Sequence, residues 1–386
     1  MRDQAMTVDT NLNAAARARS GAVLTVDLNA LRANYRLLRA RALPAACSAV
    51  LKSDGYGLGA AAIGPALYDE GCRHFFVAHL DEGIHLRPHL PLDAEIFVLH
   101  GPMPGTEEDF FANGLIPVLN SAQQVAGWRA FAARQGRTLD AIIQVDTGMS
   151  RMGLSPAEID AWLRDDHYLD GITPRYVMSH LACADEPDSP MNAAQLARFT
   201  LIRARLRAQL KDCPASLANS SGIFLSGDYH FDLVRPGAAL YGIAPQPLAE
   251  GESNPMASVV RLQGRVLQTR TIAAGEHVGY SLRYTATQSM RVATIAVGYA
   301  DGWLRSMSNR CFALADGVRL PQIGTISMDS ITLDASAVPE ERVAPGSLVD
   351  LICPAHPVDA VARLANTIGY EILTDLGARY HREYLG

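Results

Sequence analysis

Lys52 is one of only two lysines, with Lys211, in a chain holding 34 basic residues. It closes an apolar run, Cys47–Leu51, and opens the glycine-rich turn Ser53-Asp54-Gly55-Tyr56-Gly57. Arginine stays charged, whereas a lysine amine that sheds its proton becomes a nucleophile towards carbonyl groups. A lone lysine ending a buried strand is therefore a candidate for covalent chemistry with an aldehyde; the competing reading is a lysine snorkelling from a strand end. Other reactive residues fall in comparable places. Arg151 lies in the turn Asp146-Thr147-Gly148-Met149-Ser150-Arg151-Met152-Gly153 after Ile142–Val145, and His180 follows Arg175–Ser179. Asn219-Ser220-Ser221-Gly222 follows Ser216–Ala218, and Arg235-Pro236-Gly237-Ala238 ends the run from Asp232. Small, glycine-rich turns at helix starts offer backbone N–H groups to anions, so Ser220, Gly237 and Ala238 are candidate phosphate holders. A lysine beside a phosphate site points to pyridoxal phosphate. Arg235 is the candidate partner of its ring nitrogen. A guanidinium lends no proton, so the ring stays unprotonated and favours chemistry that only moves a proton. His180 is either a core histidine or a support for Arg235.

These residues need a scaffold that brings strand ends together. From Val23 to about Ile243, short apolar runs alternate with amphipathic stretches. Expected strands are Val23–Leu28, Cys47–Leu51, His74–Ala78, Glu95–Leu99, Ile116–Leu119, Ile142–Val145, Arg175–Ser179, Ser216–Ala218 and Asp232–Arg235. Helical patterns fall at Leu31–Arg41, Ala60–Tyr68, Gln123–Ala133, Pro156–Arg164 and Ala193–Leu210. Such alternation predicts a parallel sheet closed into a (β/α)8 TIM-like barrel, whose catalytic groups sit at the C-terminal strand ends. Nine strands is one too many, and Val23–Leu28 is the expected outsider. After Pro255 the texture becomes β, with runs at Val259–Ile272, His277–Ser281, Arg291–Val297, Cys311–Leu314, Ile326–Leu333 and Leu348–Ile352, and one helical stretch at Val358–Thr367. The expected layout is a tail over residues 1–20, a cofactor-binding barrel over 21–255, and a mostly β domain over 256–386 that the first strand joins. The linker is placed at Pro245–Pro255.

Composition narrows the function classes. A hydrophobic fraction of 48% with 19% charged residues is that of a globular protein. The net charge of −6 gives no general attraction to nucleic acid or anionic membranes. No apolar run is long enough to span a bilayer, and the first twenty residues lack the apolar core of a signal peptide. Six scattered cysteines without a CxxC pair argue against a disulfide frame or a structural metal, and for a reducing compartment, the cytoplasm.

Taken together, the motifs resemble the alanine racemases, fold-type III pyridoxal-phosphate enzymes. The resemblance is carried by AVLKSDGYGLG around Lys52, VDTGMSRMG around Arg151, SHLACADE around His180, ANSSG around Ser220 and DLVRPGAALYG around Arg235. GEHVGYS around Tyr280, VGYADGWLR around Tyr299 and ISMDSITLD around Met328 extend it from about residue 22 to 384. It implies that Lys52 carries the cofactor and is the base for the D-amino acid, with Tyr280 the opposing base for the L-amino acid. It also implies that Tyr56, Ser220, Gly237, Ala238 and Tyr370 hold the phosphate. Arg235 faces the ring nitrogen with His180 behind it, Arg151 binds the phenolic oxygen near the substrate carboxylate, and the Met328 backbone reaches that carboxylate. Asp185, Tyr299 and Arg305 line the substrate entrance. Because Tyr280, Tyr299 and Met328 serve the neighbouring subunit's site in this family, a homodimer with shared sites is implied. The activity implied is interconversion of L- and D-alanine, supplying D-alanine for peptidoglycan, with no metal. A phenol needs a cationic neighbour to act as a base near neutrality.

Three positions depart from the family pattern. Gln144 stands where many members have a carbamylated lysine that orients the arginine, so no carbamylation is expected and an anion near Arg151 is a possible substitute. Thr325 replaces an arginine of the entrance, and Ser327 replaces a cysteine of some members. Thr325 leaves open a broader or different preference, such as serine or lysine. A non-catalytic pyridoxal-phosphate carrier is the alternative of another class, and the additional β domain argues against it.

Overall fold

The computed structural model describes residues 14–248 and 252–386. Most of the expected tail and the centre of the expected linker, residues 249–251, lie outside the described residues. The chain divides into one unit spanning Leu31–Ala257 and a second comprising the residues up to Ala30 with Ser258–Gly386. Strand β1 (Ala22–Asp27) belongs to the second unit, where it pairs antiparallel with β11 (Val260–Ile272) and parallel with β19 (His381–Leu385).

The first unit is the barrel. Its first strand is broken by Ser48 into β2 (Ala46–Cys47) and β3 (Ala49–Val50). β4 (His74–Val77), β5 (Glu95–Val98), β6 (Ile116–Leu119), β7 (Leu139–Gln144), β8 (Ile172–Met178) and β9 (Ala215–Ser216) follow in parallel order from β3. β10 (Leu233–Val234) pairs with β2, and Arg235 N–H donates to the Ala218 carbonyl at 2.9 Å. The ring is thus closed. Helices Leu28–Ala42, Ala60–Asp69, Leu80–Leu86, Glu107–Ala112, Ala122–Gln135, Pro156–Trp162 and Pro190–Arg205 run between the strands. The strands read as continuous apolar runs because both faces are covered; Phe76, Phe97, Val118, Ile143 and Val177 are fully buried.

In the second unit one sheet runs β16 (Val318–Pro321), β15 (Phe312–Ala315), β18 (Leu348–Ile352), β11, β1, β19, with β14 (Met290–Ile295) on β11 and β17 (Ile331–Asp334) on β14. A register shift between Val266 and Gln268 lets the thirteen-residue β11 serve both groups. Two expected strands are shorter than the sequence suggested. Ile326–Leu333 is extended sheet only from Ile331, because residues 325–330 spend their backbone groups on neighbouring loops. His277–Ser281 is a strand only as β12 (His277–Val278), which pairs antiparallel with β13 (Tyr284–Thr285), since Gly279 at φ 77 and Ser281 at φ 58 turn the chain. No helix among the described residues is long and apolar enough to cross a membrane, and all six cysteines are free thiols.

Candidate active site

Lys52 follows β3 at the C-terminal end of the barrel. The residues after it form a left-handed turn: Ser53, Asp54, Gly55, Tyr56 and Gly57 have φ of 55°, 53°, 63°, 56° and 79°. Side chains with a Cβ disfavour this conformation, so the turn needs external support. Ser53 N–H donates to Glu82 Oε1 at 2.7 Å, Gly57 N–H to the Ser53 carbonyl at 2.7 Å and Ala60 N–H to Asp54 Oδ1 at 2.8 Å. The other oxygen of Glu82 accepts from Ala78 N–H at 2.7 Å. Glu82 therefore clamps the lysine turn to the end of β4, a role that sequence spacing did not reveal. Burial pushes the Lys52 amine below the usual lysine range, Arg151 pushes it further down, and Glu82 opposes the shift.

Tyr56 is buried, and Lys52 Nζ lies 5.9 Å from its ring centroid. Its ring packs 4.7 Å from that of Tyr241, whose hydroxyl donates to the Val50 carbonyl at 3.0 Å. The Tyr56 hydroxyl lies against Gly237. A Cβ at 237 would sit 3.0 Å from Tyr56 Cζ and overlap its oxygen, so only glycine fits. Ser220 Oγ accepts from Gly237 N–H at 2.9 Å and from Ala239 N–H at 3.2 Å. Ala238 opens a 3-10 turn, Ala238–Tyr241, within which its own N–H has no acceptor. The Tyr56 and Ser220 hydroxyls and the Ala238 N–H thus surround the close approach at Gly237 beside the lysine, a donor set that suits a phosphate.

Arg235 is a buried cation, and among the described residues no carboxylate pairs with it. Its guanidinium donates to Ser216 Oγ, to the Ser179 carbonyl at 2.7 Å and to the Leu217 carbonyl at 3.4 Å, and lies 3.4 Å from His180 Nδ1. Burial lowers its pKa to about 10, which leaves it charged at neutrality. His180 keeps some accessible surface, yet the protein around it and the Arg235 charge hold its pKa at about 3. A neutral ring whose Nδ1 faces a donor is the tautomer with its proton on Nε2. His180 accordingly stands behind Arg235.

Arg151 is exposed at the end of a turn built by Asp146, whose Oδ1 accepts from Gly148, Met149 and Ser150 N–H at 2.9, 3.0 and 3.1 Å. Gln144 donates to the Met152 carbonyl at 3.2 Å and makes no hydrogen bond with Arg151. A second residue missed by spacing is Gln195, fully buried on helix Pro190–Arg205. It donates to Thr147 Oγ1 at 3.1 Å and the His180 carbonyl at 2.9 Å, and accepts from Ala182 N–H at 2.8 Å. It ties the Arg151 loop to the His180 loop. Asp185 lies exposed in the latter loop.

The second unit gathers its own candidates. Tyr299 and Ala300 N–H donate to the Ser327 and Met328 carbonyls, each at 3.0 Å. Asp301 caps that turn through Gly298 N–H at 2.9 Å, and Arg379 grips Asp301 and Asp329, each at 2.6 Å. Thr325 Oγ1 donates to the Tyr280 carbonyl at 3.1 Å. Ser308 Oγ accepts from Ile326 N–H at 3.0 Å and donates to the Arg305 carbonyl at 2.7 Å, placing Arg305 beside the same segment. Tyr370 is on helix Gly369–Thr374. Tyr280 is 69% exposed and Met328 52%.

Residues 26–245 match the alanine racemase N-terminal domain and residues 259–384 the alanine racemase C-terminal domain. The chain belongs to the alanine racemase family. A catabolic alanine racemase of Mesorhizobium japonicum is 53% identical over 369 residues, covering 96% of this chain and 94% of that protein. The alanine racemase of Rhodospirillum rubrum is 50% identical over 369 residues, 95% of this chain and 97% of that protein. The crystal structure of alanine racemase from Bartonella henselae, which holds covalently bound pyridoxal phosphate, is similar with a TM-score of 0.89 at 42% identity, covering 95% of this chain and 100% of that one.

Proposed function

We propose that this chain is a pyridoxal-phosphate-dependent alanine racemase in which Lys52 and Tyr280 serve opposite faces of the substrate. The observation that carries it is the cradle of Tyr56, Gly237 and Ser220 built against a half-buried lysine whose pKa burial and Arg151 lower. The residues fit the cofactor: Lys52 for its aldehyde, the cradle with Tyr370 for its phosphate, Arg151 for its phenolic oxygen, and the unpaired Arg235 cation, backed by His180, for its ring nitrogen. Bound there, pyridoxal phosphate would acidify the α-proton of an attached amino acid.

The chain's own groups do the rest. Burial and Arg151 favour the neutral amine of Lys52, which accepts a proton on one face of Cα and returns it there in the reverse reaction. Tyr280 does the same on the other face, and removal from one side with return from the other inverts the centre. Arg235 keeps its proton at neutrality, so it orients without protonating and limits charge build-up to what inversion requires. Arg151 and the Met328 backbone hold the substrate carboxylate, while Asp185, Tyr299 and Arg305 line the approach. The exposure of Tyr280 and Met328 in the single chain supports a homodimer in which the second unit completes a neighbour's site. Free cysteines support a cytoplasmic enzyme, and D-alanine for peptidoglycan is the product's use.

The test is enantiomer interconversion by the purified protein with pyridoxal phosphate, across alanine, serine and lysine. Alanine is expected to racemise fastest, and Lys52→Ala to lose the visible absorbance of the bound cofactor. Absorbance without racemisation of any amino acid would favour a cofactor carrier instead.

A further inference from the structure

Tyr280 sits on a loop that does not hold its own shape. Gly279, Ser281 and Leu282 have φ of 77°, 58° and 50°. A serine and a leucine in succession in the left-handed region are strained, and such conformations persist only when surroundings over-determine them. The loop joins the short paired strands His277–Val278 and Tyr284–Thr285, and within it lies one bond, Leu282 N–H to the Gly279 carbonyl at 3.2 Å. From outside the hairpin the loop is met by the segment Gly324-Thr325. Here the two backbones approach as closely as glycine allows: a Cβ on Gly324 would lie 2.8 Å from the Val278 carbonyl oxygen, and one on Gly279 would lie 3.1 Å from Thr325 N. At this contact the buried Thr325 donates its hydroxyl to the Tyr280 carbonyl at 3.1 Å. The segment is rigid in turn. Gly324 N–H donates to Asn309 Oδ1 at 2.6 Å, and the Gly324 carbonyl accepts from Gln322 Nε2 at 2.9 Å. It continues directly into Ser327 and Met328, whose carbonyls fix Tyr299.

We infer that Thr325 is a positioning residue for the reaction: its hydroxyl fixes the backbone of Tyr280 and so the aim of the phenol that transfers the proton on the L-face. This rests on the assignment of Tyr280 as the L-face base. An arginine at 325 would line the entrance but could not make this short tether from the same backbone position, so the threonine exchanges an entrance charge for control of the base.

The test compares wild type, Thr325→Val and Thr325→Ser as cofactor-loaded enzymes. Because L- and D-alanine are equal in energy, kcat/KM must fall together in both directions, and the diagnostic is the α-deuterium isotope effect. Loss of one neutral hydrogen bond predicts roughly 3–10-fold lower kcat/KM for Thr325→Val. Its isotope effect is expected to rise with α-deuterated L-alanine, where Tyr280 removes the label, and to fall with α-deuterated D-alanine, where Lys52 does. Thr325→Ser, which keeps the hydroxyl, is expected to restore both values. Thr325→Val with unchanged kcat/KM, or with lower kcat/KM and both isotope effects unmoved, would overturn the positioning role alone. A wild-type enzyme that does not racemise alanine would instead overturn the assignment of Tyr280, and the inference with it.

Discussion

Replacing Gly237 with alanine tests the cradle at its tightest point. The new methyl would lie 3.0 Å from Tyr56 Cζ and overlap Oη, so the phenol must retreat by roughly 1 Å to recover ordinary contact distance. Retreat is resisted because the ring is buried and packed 4.7 Å from Tyr241, itself tied to Val50. Overpacking of this kind costs about 1–3 kcal/mol. In the proposed site a displaced hydroxyl would also lose its hydrogen bond to the phosphate, about 1.5–3 kcal/mol for a charged acceptor, which would weaken cofactor binding about 10- to 150-fold. Titration of cofactor-free Gly237→Ala with pyridoxal phosphate, followed by absorbance, reads this directly. Tyr56→Phe should lose a similar amount on its own. In the double variant the overlapping oxygen is gone, so adding Gly237→Ala to Tyr56→Phe should cost much less than adding it to wild type. Wild-type affinity in Gly237→Ala, or full additivity of the two losses, would refute the contact as the reason for glycine.

Gln195→Met should leave the His180 carbonyl and Ala182 amide without their buried partner, lowering stability by about 1–3 kcal/mol in urea unfolding and reducing kcat/KM as the Arg151 and His180 loops separate. His180, with a folded pKa of about 3 against an ordinary 6.5, binds fewer protons folded than unfolded between those values. Its contribution to stability is therefore complete above pH 6.5 and is lost as pH falls towards 3; melting temperature should drop less between pH 7 and 5 in His180→Asn than in wild type. Reductive alkylation of the cofactor-free protein at neutral pH, read by peptide mapping, should label Lys52 ahead of exposed Lys211, because burial and Arg151 favour the neutral amine.

Much of this was legible in the sequence because a barrel converts position into function. Lys52, Arg151, His180, Ser220 and Arg235 each follow an apolar run, and such runs end at one face of a closed parallel sheet. Local conformation was less legible. Ser53 and Asp54 have no intrinsic preference for a left-handed turn; Glu82, on helix Leu80–Leu86, imposes it. Gln195 is silent for the same reason, since its partners lie on two loops distant in sequence. In the second unit, Ile326 to Leu333 has a strand's composition, but the Ser327 and Met328 carbonyls are committed to Tyr299 and Ala300. Strand β19 has polar composition, His-Arg-Glu-Tyr-Leu, and is a strand because it docks in parallel along β1. What decided these segments was a distant partner rather than their own periodicity.

The central claim is that two different groups serve the two faces of Cα. It is tested most directly by following L-alanine and D-alanine separately in deuterium oxide with wild type and with Tyr280→Phe, both loaded with pyridoxal phosphate. Wild type is expected to form, from L-alanine, D-alanine carrying deuterium at Cα. Tyr280→Phe is expected to keep the cofactor and exchange the α-proton of D-alanine through Lys52, while forming almost no L-alanine from it. Racemisation by Tyr280→Phe at the wild-type rate, or its loss together with the cofactor, would contradict the claim.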